Sequence, residues 1–125
     1  MVTESYVLLE TAKLLKEKGF EGECHTFYEV NDKGKFLIAS EVEKAARVDY
    51  GDREEYQRPT LQVAMKWLRE IHKIDIIPFH EKLPNDCYWC RIERHPYTEF
   101  EQEPVHENQD QACEAAIRYC LQNLI

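Results

Sequence analysis

The chain reads as an α+β fold of order α-β-β-α-β-β-α, with a four-stranded, mainly antiparallel sheet covered on one face by helices. Three observations lead there. Two stretches of helical apolar spacing are each followed by a pair of β-rich runs around turn residues, a third amphipathic stretch closes the sequence, and each amphipathic helix needs an apolar sheet face to cover. A length of 125 residues fits one domain, residues 1–125, with a single core.

The first helix is expected over Leu8–Lys18, where Leu8, Ala12 and Leu15 form one stripe and Gly19 follows as terminator. Glu23–Val30 and Lys35–Ser40 then flank Asn31-Asp32-Lys33-Gly34, whose residues supply turn conformations that others resist, so a hairpin is expected. Residues 41–58 carry charge on about half their positions and read as an exposed surface connector. Thr60 is placed to cap a second helix, on which Leu61, Ala64, Met65, Leu68 and His72 share a face as far as about Lys73. Ile74–Phe79 and Cys87–Arg94 form a looser hairpin around Pro84-Asn85-Asp86, and Pro78, which lacks a backbone donor, puts its strand at a sheet edge or ends it there. Residues 95–107, polar and acidic with two prolines, read as a second surface connector. The last helix runs from Asn108 or Gln109 to Leu124, with Cys113, Ala116, Ile117, Cys120 and Leu124 on its buried stripe. The two helix-hairpin units echo one another weakly, too weakly for a repeat protein.

Composition narrows the function classes. The net charge of −8 divides evenly between residues 1–58 and 59–125, leaving no basic surface of the kind that phosphate neutralisation requires. Direct binding to nucleic acid is therefore not expected, nor is binding to an anionic membrane. The opening Met-Val-Thr-Glu-Ser lacks a basic region leading into an apolar one, and no apolar run approaches a membrane span, so a cytoplasmic protein is expected. Five cysteines, widely spaced, read as reduced thiols rather than a disulfide framework.

The Lys18-Gly19-Phe20 end of the first helix, the Pro59-Thr60-Leu61 opening of the second with Trp67-Leu68-Arg69-Glu70 and His72, the Tyr88-Trp89 strand and the closing Ala115-Ala116-Ile117 helix together resemble a family of short uncharacterised α+β proteins from gut anaerobes and their phages or mobile elements. The resemblance covers most of the chain. It implies a fold class and an accessory role, and carries no active site with it.

Each candidate site meets a competing structural reading. Cys87 and Cys90 have the spacing of metal or redox cysteines, with His80, His95 and Cys24 as conceivable further ligands. In a strand, however, they point to opposite faces, and no helix N-terminus is there to lower a thiol pKa. Cys24 and His25 are likewise strand neighbours facing apart. Cys113 and Cys120 have core spacing, and His72 suits a packed, hydrogen-bonded capping role near a helix C-terminus. No phosphate loop, nucleophile elbow or zinc-protease helix is present, and no cofactor is expected. The carboxylates of Glu99, Glu101, Glu103, Glu107 and Asp110 read as a solvated loop and helix start, or as a mimic of a phosphate backbone.

Strand alternation puts either Cys24, Thr26, Tyr28 and Val30 or His25, Phe27 and Glu29 outward, and Trp89 with Arg91 and Glu93 on one side of the fourth strand. An outward set of His25, Phe27, Trp89 and Arg91 makes an aromatic and charged patch suited to a protein partner or a second copy, the competing reading being that Trp89 or Phe27 packs under the long loops. The expected function is accordingly that of a non-enzymatic protein-binding or adaptor protein, with homodimerisation through a sheet face or an edge strand as one form of it. The alternatives are an acidic inhibitor occupying the nucleic-acid site of a partner protein, and a small enzyme whose site is assembled from separate segments.

Overall fold

Helix α1, Leu9–Glu17, ends as its sequence dictates. Gly19 takes φ +80°, its N–H donates to the carbonyl of Lys16 and the N–H of Phe20 donates to that of Leu15, the paired closure that a left-handed glycine permits. The computed structural model describes residues 5–41, 54–82, 86–94, 98–102 and 106–125. At its other end α1 has no capping side chain of its own. Glu114, far along the chain, accepts instead from the Leu8 N–H at 3.0 Å and from the Thr11 hydroxyl, satisfying an orphan donor and setting negative charge at a positive helix end.

Strands β1 (Thr26–Val30) and β2 (Phe36–Ser40) form an antiparallel hairpin. Asn31 Oδ1 accepts from the N–H groups of Lys33 and Lys35, and Gly34 adopts φ +80°, so the turn is built by a side chain imitating backbone. Strand β3 (Glu54–Gln57) pairs antiparallel with the other side of β1. Helix α2 (Leu61–His72) starts at Thr60, whose hydroxyl accepts from the Val63 N–H at 3.2 Å. Strands β4 (Ile74–Glu81), β5 (Cys87–Arg94) and β6 (Thr98–Glu101) follow as an antiparallel meander. Helix α3 (Gln109–Asn123) is capped by Asn108, whose side chain accepts from the Gln111 N–H at 2.9 Å.

The α+β class and the order of helices and hairpins match expectation, but the sheet does not. In place of one four-stranded sheet there are two of three strands, ordered β2-β1-β3 and β4-β5-β6. The charged segments read as connectors at 41–58 and 95–107 hold β3 and β6, which pair with β1 and β5 and complete a separate sheet around each hairpin. Only Tyr56 and Phe100 in these short strands are aromatic or apolar, too few to register as a periodic signal among glutamates. The two sheets also differ in strand order, with the first strand central in one and the middle strand of a meander central in the other. Pro78 stands within β4, which continues to Glu81 as an edge strand.

The core joins residues from both halves of the chain. Helix α3 lies against α1, α2, β4 and β5, which explains why Ala112, Glu114 and Leu121 are buried along with Cys113, Ala116, Ile117 and Cys120 of the expected stripe, whereas Leu124, past the end of the helix, is half-buried. Phe20 meets Trp67 edge to face at 5.4 Å, and Val7, Tyr28, Leu68, Ile74, Ile92 and Ile117 belong to the same cluster. The segment before α1 is fixed to the start of α2, with Val7 donating to the Pro59 carbonyl and Leu61 donating to that of Ser5.

His72 departs from the hydrogen-bonded cap expected of it. Its ring meets Trp67 edge to face at 4.7 Å, and its Nε2 is buried without a hydrogen-bond partner. Burial and then the charge of Arg94 push its pKa down from 6.5, so the neutral imidazole is favoured over the imidazolium that the helix dipole alone would select.

Two outcomes follow from these contacts. Glu114→Ala should lower unfolding free energy by about 2–3 kcal/mol in urea titration, and Glu114→Gln, which keeps an acceptor, should recover most of that loss. An equal loss in both would assign the effect to charge at the end of α1. Because the folded pKa of His72 lies below its unfolded value, the unfolded state binds more protons and the stability this residue contributes is lost as pH falls through its folded pKa. Denaturant titrations at pH 8 and pH 5 should therefore show a smaller acid-side loss for His72→Phe than for the parent.

Candidate functional site

Alternation along β5 sorts its side chains onto two faces. Cys90 and Ile92 are buried in the core cluster, on the side where α3 packs. Cys87, Trp89, Arg91 and Glu93 take the opposite face and are half-buried. Register sets Phe79 against Trp89, Ile77 against Arg91, Asp75 against Glu93 and Glu81 against Cys87, so β4 extends that outer face. Phe79 and Trp89 stack with ring centroids 4.4 Å apart and planes 13° from parallel. Phe79 and Ile77 remain exposed, and none of Ile77, Phe79 and Trp89 joins the core cluster. Arg91 pairs with Glu93 at 3.2 Å and stands opposite Glu101 of β6. The result is an aromatic and aliphatic centre bordered by charges of both signs.

Of the four residues that the sequence suggested as an outward patch, Trp89 and Arg91 share this face. His25 and Phe27 lie in the first sheet region instead. Phe27 is buried, whereas His25 is 72% exposed at its side chain and sits between Glu23 and Glu41 at 3.3 and 3.4 Å. Hydrogen bonds to Glu41 and then Glu23 raise its pKa above 6.5. Ile77 and Phe79 were not among the residues read as outward, although the period of two in Ile77-Pro78-Phe79 carries that information once β4 is paired with β5.

The cysteines are dispersed. Cys90 is buried with its Sγ 4.0 Å from that of Cys113; the hydrogen bond between them and then burial push the Cys90 thiol up. Burial pushes Cys120 up to about 12. Cys24 donates to the Thr26 carbonyl at 2.9 Å, and burial raises its pKa. Its neighbour His25 bonds to glutamates, not to this thiol. His80 stacks on Tyr88 at 4.2 Å with its Nε2 3.1 Å from Asp86, and His95 lies outside the described residues. Among the described residues no group of three or more His, Cys, Asp or Glu side chains gathers as metal ligands do.

The acidic run is divided among elements. Glu99 takes the register position opposite Glu93, Glu101 is exposed on β6, Asp110 accepts from the Ser5 hydroxyl in the first turn of α3, and Glu103 lies outside the described residues. A groove of about 540 Å³ opens beside Asp110, lined also by Tyr6, Leu8, Leu61, His106, Glu114 and Arg118. No local signal in the sequence marks it, because it forms where the segment before α1 meets α2 and α3. Asp110 accepts from Ser5, Glu114 Oε1 serves α1 and Arg118 Nη1 donates to Glu10 at 3.3 Å, whereas Glu114 Oε2 and Arg118 Nε are buried without a hydrogen-bond partner.

No family model, curated protein or solved structure matches the chain, and a functional reading therefore rests on this geometry. Among the described residues no helix is long and apolar enough to cross a membrane.

Thiol exposure gives a direct check on the placement of the strands. Maleimide labelling of the native protein at mildly alkaline pH should modify Cys87 first and Cys24 more slowly. Cys90, Cys113 and Cys120 should react only in denaturant, and peptide mass spectrometry reads the order.

Proposed function

We propose that this protein acts by binding another protein, without catalysis, through the outer face of β4 and β5. The observation that carries the reading is the stacked Phe79–Trp89 pair beside exposed Ile77, on the side of the sheet away from α3. Large aromatic side chains on a rigid sheet lose little entropy on contact, and Trp and Arg are the residues most enriched among those that dominate binding energy. Arg91, Glu93 and Glu101 provide the polar border that fixes orientation and excludes wrong partners. The acidic excess of the whole chain favours a partner with a basic rim. All five cysteines are free thiols, which fits a reducing cytoplasm as the place of action.

The test is affinity capture from a native host with the chain and two variants, Trp89→Ala and Phe79→Ala. These side chains lie outside the core, so circular dichroism and the urea midpoint should stay close to the parent's. Capture of a specific partner should fall at least about tenfold in both variants. Undiminished capture by Trp89→Ala would remove this face from the binding surface.

A further inference from the structure

The starts of three helices converge on the groove of about 540 Å³. Leu8 stands at the start of α1, Leu61 opens α2 and Asn108 caps α3, and all three residues line the groove. Helix starts carry positive potential and ordinarily draw an anion. Here the chain supplies its own. Asp110 lies in the first turn of α3, and Glu114 Oε1 accepts from the Leu8 N–H and the Thr11 hydroxyl. An anionic ligand entering the groove would meet these two carboxylates.

What the wall still calls for is a donor. Glu114 forms part of the groove and is 7% exposed, and its Oε2 is buried without a hydrogen-bond partner. A buried carboxylate oxygen left unpaired is costly, and a charged donor relieves it best, because charge-assisted hydrogen bonds are about twice as strong as neutral ones. Arg118, one turn further along α3, does not fill the need. Its Nη1 donates to Glu10 at 3.3 Å, and its Nε is itself buried without a partner. The Arg118 charge is therefore balanced by Glu10, and Nε adds only a donor for a neutral acceptor.

The remaining walls are largely apolar. Tyr6 and Leu8 are 36% and 53% exposed, and Leu61 and Ala115 line the same groove. A concave site of this volume, with apolar walls and few polar groups, has the form of a small-molecule pocket. We infer that the groove binds a small organic primary amine, its ammonium group donating to Glu114 and its apolar body lying against Tyr6, Leu8 and Leu61. An aromatic body suits the tyrosine ring, whose electron-rich face also attracts the ammonium charge. The site is built from other residues than the face of β4 and β5 proposed to bind a protein. It goes beyond that reading and stands whether or not that reading does.

Heteronuclear NMR titration of the full chain with phenethylamine tests it, set against phenethyl alcohol, which lacks the charge, and hydrocinnamate, which reverses it. The amine should saturate with a Kd below about 1 mM and move the amide signals of Leu8, Gln111, Glu114 and Ala115, while the alcohol and the carboxylate should bind at least about tenfold more weakly. Glu114→Gln keeps an acceptor, loses the charge and should weaken amine binding at least about tenfold. Ala115→Phe fills the groove from a half-buried position on α3 and should abolish saturation over the same range with the urea midpoint of the parent. It leaves Glu114 and its bonds to α1 in place, so it reads the site even where Glu114→Gln loosens the fold. Failure of the amine to saturate with a Kd below about 1 mM overturns the inference. So does equal binding of the alcohol, a set of shifted signals outside the groove, or undiminished binding by Ala115→Phe.

Discussion

Glu114 holds the helical layer together. Its carboxylate is buried on α3, yet it serves α1, accepting from the Leu8 N–H and the Thr11 hydroxyl across more than a hundred residues of sequence. Burying a carboxylate is costly unless hydrogen bonds replace water; the start of α1 supplies two donors to Oε1 and a favourable potential, while Oε2 is buried without a hydrogen-bond partner. With α1 fixed to α3 in this way, Leu15 and Phe20 are delivered to the core beside Trp67, and the segment from Ser5 to Val7 is drawn along the start of α2. One polar contact thus ties α3 to the start of α1, next to the backbone bonds that join Ser5 and Val7 to the start of α2.

That arrangement also accounts for two sheets in place of one. Helix α3 packs on the inner face of β4 and β5, with Cys90, Cys113 and Cys120 filling the space between as small apolar side chains. Phe100 of β6 stacks on Tyr119 at 4.5 Å, holding the third strand against the same helix. The first sheet is anchored elsewhere, through Tyr28, whose hydroxyl donates to the Val7 carbonyl at 2.6 Å, and through Tyr56, near the Lys13 and Lys16 ammonium groups. Each sheet answers to a different helix, and each receives its third strand from the charged segment that follows its hairpin.

The features legible in the sequence are those decided within a few residues. Gly19 ends α1, Thr60 starts α2, Asn31 and Gly34 turn the first hairpin, and Pro78 marks an edge, because cap and turn chemistry is local. The alternation of Tyr88 to Arg91 placed Trp89 with Arg91 on one face. Legibility fails where distant groups decide. Nothing near Glu114 distinguishes it from the other glutamates of the chain, since its partners lie at the opposite end. His72 has the periodicity of a core residue and the position of a cap, and only its burial and the nearby Arg94 charge show that its pKa is pushed down. Phe27 belonged to an outward set until β1 proved to be the central strand of its sheet, where Phe27, Tyr28 and Glu29 are all buried.

The glutamates that disguised β3 and β6 also explain why those strands remain edges. A short strand carrying Glu54 and Glu55, or Glu99 and Glu101, pairs readily with one neighbour inside its own chain and repels a like strand from another. The acidic excess therefore acts at specific places on the fold and is not merely a solubility reserve. It closes the edges at β3 and β6, and proline interrupts the edge at β4.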